Sequence, residues 1–234
     1  MTIEENIRII RENIALAAER SGRNAGDITL VAASKMNDAA RVREAFEGGI
    51  DCFGENRVQE MLEKNVLGAY AGARLHFIGH LQKNKVKNVV GLAELIHGVD
   101  SIPLLQTISR TAVDRGIVQD LLIEVNIGAE ESKSGFSPDN LTEVFEAAET
   151  LPGIKIRGLM AIPPICASGD ENRPYFARMR QLFVDIGSKK YDNSNMDFLS
   201  MGMSGDYLQA VECGSNMVRI GTGIFGPRDY GSKP

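Results

Sequence analysis

Ile28-Thr29-Leu30-Val31-Ala32-Ala33-Ser34-Lys35 is a short apolar, partly β-branched run, with turn-forming Gly26 and Asp27 before it and a helix-like pattern after it. Such a run reads as a buried parallel strand, and this one ends in a lysine. An ammonium group in a protein interior loses much of its hydration energy unless it is paired, and the common escape is a lowered pKa that leaves a neutral amine. A neutral amine at a strand end is a nucleophile toward aldehydes, the starting condition for a covalent link to a carbonyl compound. The alternative is a Lys35 whose stem lies along a rim while its ammonium reaches water and takes no chemical part.

Working outward, Ile3, Ile7, Ile10, Ile14 and Ala17 fall at helical spacing and give an amphipathic opening helix that ends near Ser21-Gly22. After Lys35, Asn37-Asp38 starts a helix that runs to Gly48-Gly49. Further strands are expected at 52–54, 75–78, 92–97, 120–126, 154–162, 197–200 and 217–220. Helical patterns lie between them: one from Glu55 toward Tyr70, a lysine-bearing one with Lys83, Lys85 and Lys87, and others beginning at Ser101, Ser137 and Asn172. What remains, 224–234, is too short for another domain. Eight strands alternating with helices predict a single (β/α)8 barrel with an extra N-terminal helix, forming one domain over 1–234. An open doubly wound sheet ranks second, because no G-x-G-x-x-G follows the first strand.

A chain of 234 residues, 43% hydrophobic and 24% charged, can bury one large core. Its net charge of -5 offers no general field for nucleic acid or an anionic membrane. Cys52, Cys166 and Cys213 are widely spaced and in no C-x-x-C arrangement, which argues against disulfides and zinc and for reduced thiols. The N-terminal stretch is charged rather than apolar, and no segment approaches the roughly 20 apolar residues that span a bilayer. The expectation is a soluble, cytoplasmic protein.

In a barrel, chemistry gathers at the C-terminal ends of the strands. Those ends hold Lys35, Glu55-Asn56, His80, Asp100, Asn126, the loop Met201 to Ser204, Arg219 and Gly221-Thr222. The loops after strands seven and eight are the usual phosphate site of the fold, and Gly202-Met203-Ser204-Gly205 and Gly221-Thr222-Gly223 suit it, with flexible N–H groups and two hydroxyls. Each loop taken alone also reads as an ordinary capped glycine turn. Arg219 keeps its charge when buried and needs a fixed acceptor. That acceptor is either a structural partner such as Glu212 or the ring nitrogen of a bound group. His76 and His80 are not placed on one helical face, so a metal pair is not expected. The lysines at 83, 85 and 87 read as a solvated face, Met201 and Met203 as core filler, and Lys133 as exposed.

Several motifs resemble those of the pyridoxal phosphate homeostasis proteins across nearly the whole chain. They are Val31-Ala32-Ala33-Ser34-Lys35, Phe53-Gly54-Glu55-Asn56-Arg57-Val58-Gln59-Glu60, His76-Phe77-Ile78-Gly79-His80-Leu81-Gln82-Lys83-Asn84-Lys85, Met201-Gly202-Met203-Ser204-Gly205-Asp206 and Val218-Arg219-Ile220-Gly221-Thr222-Gly223-Ile224-Phe225-Gly226. The resemblance implies a barrel like the N-terminal domain of alanine racemase, with pyridoxal 5'-phosphate held as an internal aldimine on Lys35. It also implies Arg219 facing the pyridine nitrogen, Ser204, Gly221 and Thr222 on the phosphate, and Asn56 near the ring. Two departures stand out: Met36-Asn37-Asp38 replaces the family's frequent threonine and proline after the lysine, and Glu212-Cys213-Gly214-Ser215-Asn216 differs slightly from the usual run.

Proteins of this kind are regarded as carriers or buffers of the cofactor, so the implied partners are pyridoxal 5'-phosphate and apo-enzymes that need it, with the protein a monomer or weak dimer. A related racemase takes a second base from a further domain, which the chain as given does not contain. Catalysis is accordingly expected to be absent or very weak. The competing readings are a single-domain amino-acid racemase and a colourless Schiff-base aldolase acting on phosphorylated sugars.

Overall fold

A computed structural model describes residues 1–227. Eight parallel strands close into a barrel in chain order: β1 (Thr29–Ala33), β2 (Cys52–Glu55), β3 (Arg74–Phe77), β4 (Leu95–Val99), β5 (Gln119–Glu124), β6 (Ile154–Met160), β7 (Ser194–Ser200) and β8 (Met217–Ile220). The α-helices are α1 (Ile3–Arg20), α2 (Ala39–Glu47), α3 (Val58–Val66), α4 (Ile102–Asp114), α5 (Leu141–Glu149), α6 (Arg173–Ser188), α7 (Tyr207–Glu212) and α8 (Thr222–Phe225). The barrel with its N-terminal helix is the architecture expected from the alternating pattern.

Strand alternation divides the core in two. On β1, Leu30 and Ala32 pack outward with the helices, while Val31 and Ala33 turn inward to join Cys52, Leu95, Leu122, Met160 and Met217 in a separate inner cluster. Every residue of that inner set is fully or almost fully shielded, so closing the sheet gives the barrel a buried interior as well as a buried outer face, except along the first five residues of β7, which stay half-buried or exposed. α1 starts with a capping box between Thr2 and Glu5 and buries Ile3, Ile7, Ile10 and Ile14. It is tied to the far end of the chain by Asn6 Nδ2, which donates to the Ile224 carbonyl at 2.9 Å, and by Asn13 Nδ2, which donates to Tyr207 Oη at 3.2 Å. The extra helix therefore braces the two elements that follow β7 and β8.

Several boundaries differ from the sequence reading, each for a local reason. β1 stops at Ala33; Ser34 still donates to the Gly54 carbonyl at 3.0 Å, but Lys35 begins a turn in which Met36 takes φ +64°. β4 starts at Leu95 rather than 92, because Leu92 and Ala93 both donate to the Val89 carbonyl and are spent on a turn. β5 and β6 end at Glu124 and Met160, short of 126 and 162, and β7 begins earlier, at Ser194. Glu55 closes β2, so α3 begins only at Val58 and ends at Val66. The lysine-bearing crossover is a 3-10 helix, Lys83–Asn88, and not an α-helix. The single domain expected over 1–234 includes 228–234, which lie outside the described residues.

Candidate functional site

The C-terminal rim of the barrel carries the polar groups, and two hollows open there. One, of about 200 Å³, lies between Lys35, Ala33 and Arg41 on one side and Gly221, Thr222 and Phe225 on the other. A second, of about 270 Å³, is lined by Asn56, Gly79, His80, Glu124, Lys133 and Met160 among others. A cleft of about 520 Å³ opens at the strand N-termini beside Arg74 and Glu94, the end where this fold keeps stability rather than chemistry.

Lys35 is half-buried, in the turn just past β1 rather than inside the barrel as the strand reading had it. The loop after β7 is shaped by Gly202, whose φ of +95° and close packing leave no room for a Cβ, which would stand 2.6 Å from Ala210 Cβ. Asp206 secures that loop from behind, accepting from Met203 N at 2.7 Å and from Asn172 Nδ2 at 2.8 Å. The half-buried Ser204 then accepts from Gly223 N at 3.2 Å. One bond thus ties together the two glycine loops singled out in the sequence. Arg41 adds a tie from α2 to α8 by donating to the Phe225 carbonyl.

Arg219 is 4% exposed and pairs with no carboxylate among the described residues. Glu212, the structural partner considered from sequence, is instead taken up by Arg173 and Arg20. The Arg219 guanidinium donates to Ser200 Oγ and to the Ala161 carbonyl at 3.0 Å, leaving further N–H donors uncommitted by these two bonds. Burial lowers its pKa to about 10, against the raising influence of Glu124 and Asp206, so it stays charged near neutrality.

Behind Arg219 runs a string of buried polar groups that sequence reasoning missed. Ser200 Oγ lies 3.1 Å from His97 Nδ1, and His97 Nε2 lies 3.0 Å from His76 Nδ1. Burial pushes His76 down to about 3 and holds His97 well below the ordinary histidine value, so both rings are neutral. Arg219 can only donate, so Ser200 passes its own proton toward His97 Nδ1 and His97 Nε2–H points to His76; this tautomer is assigned from the chain of donors. His76 therefore faces the barrel interior while His80 sits on the rim, paired at 2.8 Å with Asp100.

Glu124, at the end of β5, lines the second hollow. Its carboxyl is pushed up to about 7 by burial first and by the nearby Asp100 charge second, with Arg219 and His80 opposing. Asn56 lines the same hollow, its Oδ1 buried and without a hydrogen-bond partner among the described residues. Asn126 is a loop anchor: its Nδ2 donates to the Glu130 carbonyl at 2.8 Å and its Oδ1 accepts from Glu130 N at 3.2 Å. Lys133 is half-buried rather than exposed, bonded to the Pro163 carbonyl at 3.0 Å and paired with Glu130. Met201 is core, whereas Met203 stands at the surface of its loop.

These features define a (β/α)8 barrel that gathers an amine, a buried guanidinium and two linked glycine loops at its strand C-termini. The family model for the alanine racemase N-terminal domain matches residues 6–229. A protein of Aquifex aeolicus named pyridoxal phosphate homeostasis protein is 43% identical over 97% of this chain and 98% of its own length. One of the same name from Pseudomonas aeruginosa is 39% identical over 99% and 98%. Among solved structures, PipY of Synechococcus elongatus with PLP bound superposes with a TM-score of 0.83 at 30% identity, covering 96% of this chain and 100% of PipY. The chain belongs to the family of pyridoxal phosphate homeostasis proteins.

Proposed function

We propose that the protein holds pyridoxal 5'-phosphate reversibly through the Lys35 amine and acts in cofactor homeostasis, buffering the cofactor or passing it to apo-enzymes. The observation that carries this reading is the meeting, at one barrel end, of a lysine in a fixed turn, two glycine loops joined by the bond from Gly223 N to Ser204 Oγ, and a buried guanidinium that pairs with no carboxylate among the described residues. The names of the relatives and the PLP-bound PipY structure support it.

The residues fit such a group. Asn56 lines one hollow of the rim, its buried Oδ1 without a hydrogen-bond partner among the described residues, while Lys35, Gly221 and Thr222 line another, where Gly221 lies so close to the Ala33 backbone that a Cβ would stand 3.3 Å from the carbonyl oxygen. In this reading Ser204, Gly221 and Thr222 hold the phosphate, Arg219 faces the pyridine nitrogen, and Asn56 sits near the ring. The cofactor would supply an aldehyde, and the Lys35 amine is the nucleophile placed to condense with it reversibly. Arg219, which stays protonated, would donate to the ring nitrogen, keep that nitrogen from gaining its own proton and so weaken the ring as an electron sink. Ser200 and the two neutral histidines hold the guanidinium in place for that contact. Binding without sustained turnover follows, in a cytoplasmic monomer or weak dimer.

The test is transfer. Loaded protein mixed with an apo-enzyme should restore that enzyme's activity, and incubation with L-alanine should yield no steady formation of the D-isomer. Failure of transfer under conditions where free cofactor does transfer contradicts the carrier role. Lys35-dependent formation of D-alanine contradicts the absence of turnover and favours a racemase.

A further inference from the structure

The turn that bears Lys35 is gripped from beneath by charges for which the proposed function has no use. The carbonyl of Ser34, just before Lys35, accepts from Lys64 Nζ at 2.8 Å. The N–H of Met36, just after it, donates to Glu60 Oε2 at 2.7 Å. Lys64 Nζ also pairs with Glu55 Oε1 at 2.7 Å and lies 3.5 Å from Glu60 Oε2. Glu55 Oε1 in turn accepts from Ser34 Oγ at 2.6 Å and from Tyr70 Oη at 3.2 Å.

Three features argue that this group does more than fill space. Glu55 and Lys64 are both buried, and a buried ion pair contributes little net stability compared with apolar packing, so fixing a geometry is its better-attested use. Met36 sits at φ +64°, a conformation that a non-glycine residue keeps only when its surroundings hold it, and Glu60 bonds to that residue's own N–H. Glu55 ends β2 while Glu60 and Lys64 lie one turn apart on α3, so two rigid elements converge on the peptide groups flanking one side chain.

We infer that Glu55, Glu60 and Lys64 form a clamp on the peptides either side of Lys35 and are positioning residues that set the direction and reach of its amine. Naming the aldehyde of pyridoxal 5'-phosphate as what that amine meets rests on the function proposed above.

Glu60 is the member to test, because removing Lys64 would leave Glu55 buried beside no cation. Glu60→Ala deletes the acceptor for Met36 N–H, and Glu60→Gln keeps an oxygen there. Two titrations are compared in each protein: pyridoxal 5'-phosphate, followed by visible absorption and by borohydride trapping on Lys35, and pyridoxine 5'-phosphate, whose alcohol cannot condense with an amine. Glu60→Ala should lower the equilibrium constant for the Lys35 adduct about tenfold, the scale of one lost hydrogen bond to a charged group. Glu60→Gln should restore it, and the affinity for pyridoxine 5'-phosphate should stay the same in both variants. An unchanged adduct constant in Glu60→Ala overturns the clamp, as does a fall in pyridoxine 5'-phosphate affinity that matches the fall in adduct, since general loosening of the site weakens both.

A second readout needs no cofactor. Under reductive methylation with formaldehyde and cyanoborohydride, Lys35 should be modified several-fold faster in Glu60→Ala than in the parent or in Glu60→Gln, with exposed Lys83 as the internal reference. A parent that takes up no pyridoxal 5'-phosphate yet shows this difference overturns the functional reading and leaves the clamp standing. Equal labelling of Lys35 in all three proteins overturns the clamp.

Discussion

Replacing Ser200 by alanine cuts the polar string behind Arg219 at its middle. The Ser200 hydroxyl is fully buried, accepts from the Arg219 guanidinium and lies 3.1 Å from His97 Nδ1. A hydrogen bond to a charged group is worth about 1.5–3 kcal/mol, and a buried acceptor left unmade costs about 1–3 kcal/mol. The two losses do not add fully, because Arg219 keeps its bond to the Ala161 carbonyl at 3.0 Å. A net loss of about 3 kcal/mol is expected, which for a chain of this length lowers Tm by about 6–12 °C. Thermal and urea unfolding of the cofactor-free protein at neutral pH measures it, with Ser204→Ala as a comparison. The Ser204 hydroxyl is only half-buried on a loop, and its loss should cost about 1 kcal/mol or less. A Ser200→Ala protein within about 0.5 kcal/mol of the parent would refute the claim that this hydroxyl satisfies both neighbours.

Other outcomes follow from the same geometry. Glu124 has a folded pKa of about 7, raised by burial above the ordinary 4.5, so its contribution to stability is present at and below pH 4.5 and is lost as pH rises through 7. Relative to Glu124→Gln, the cofactor-free parent should lose stability between those two values, by at most about 1.4 kcal/mol for each pH unit, and stay level above them; a flat difference across that window would contradict it. Gly202→Ala places a Cβ 2.6 Å from Ala210 Cβ at a backbone φ of +95° and should both destabilise the fold by more than about 1 kcal/mol and weaken competition by inorganic phosphate for the site, read by unfolding and by displacement titration. Thr222→Ala combined with Ser204→Ala should weaken pyridoxal 5'-phosphate far more than pyridoxal lacking the phosphate, a contrast that equilibrium titration reads directly.

The barrel was legible because alternation is physical: short β-branched runs at regular spacing, each followed by a helical pattern, leave closure as the way to bury both faces of every strand. The glycine loops after β7 and β8 and the guanidinium of Arg219 were legible for the same reason, since their place in the fold follows from strand count. Lys35 was singled out at the end of a strand that in fact stops two residues before it: Ser34 keeps the ladder bond to Gly54, while the turn at Met36 depends on Glu60, a contact made across 24 residues of sequence. His97 looked like a strand residue and Ser200 like a strand end; nothing local says that their side chains meet across the barrel, although the alternation of Leu95 and His97 inward was a signal. Glu60 and Lys64 fall inside a helical pattern with nothing local to mark them, and only the placing of α3 beside β2 brings them to Ser34 and Met36, the residues flanking Lys35. Glu124, a carboxylate directly after the apolar run Leu121-Leu122-Ile123, carried a signal that was available and not taken up.

Reversible holding of the cofactor, as proposed, needs Lys35 as the point of covalent attachment. The protein is loaded with pyridoxal 5'-phosphate, reduced with borohydride, digested and mapped by mass, alongside Lys35→Ala. The adduct should fall on the peptide carrying Lys35 in the parent, and the variant should be colourless after desalting with no stoichiometric adduct elsewhere. A yellow Lys35→Ala protein with its reduced adduct on another side chain would contradict the account.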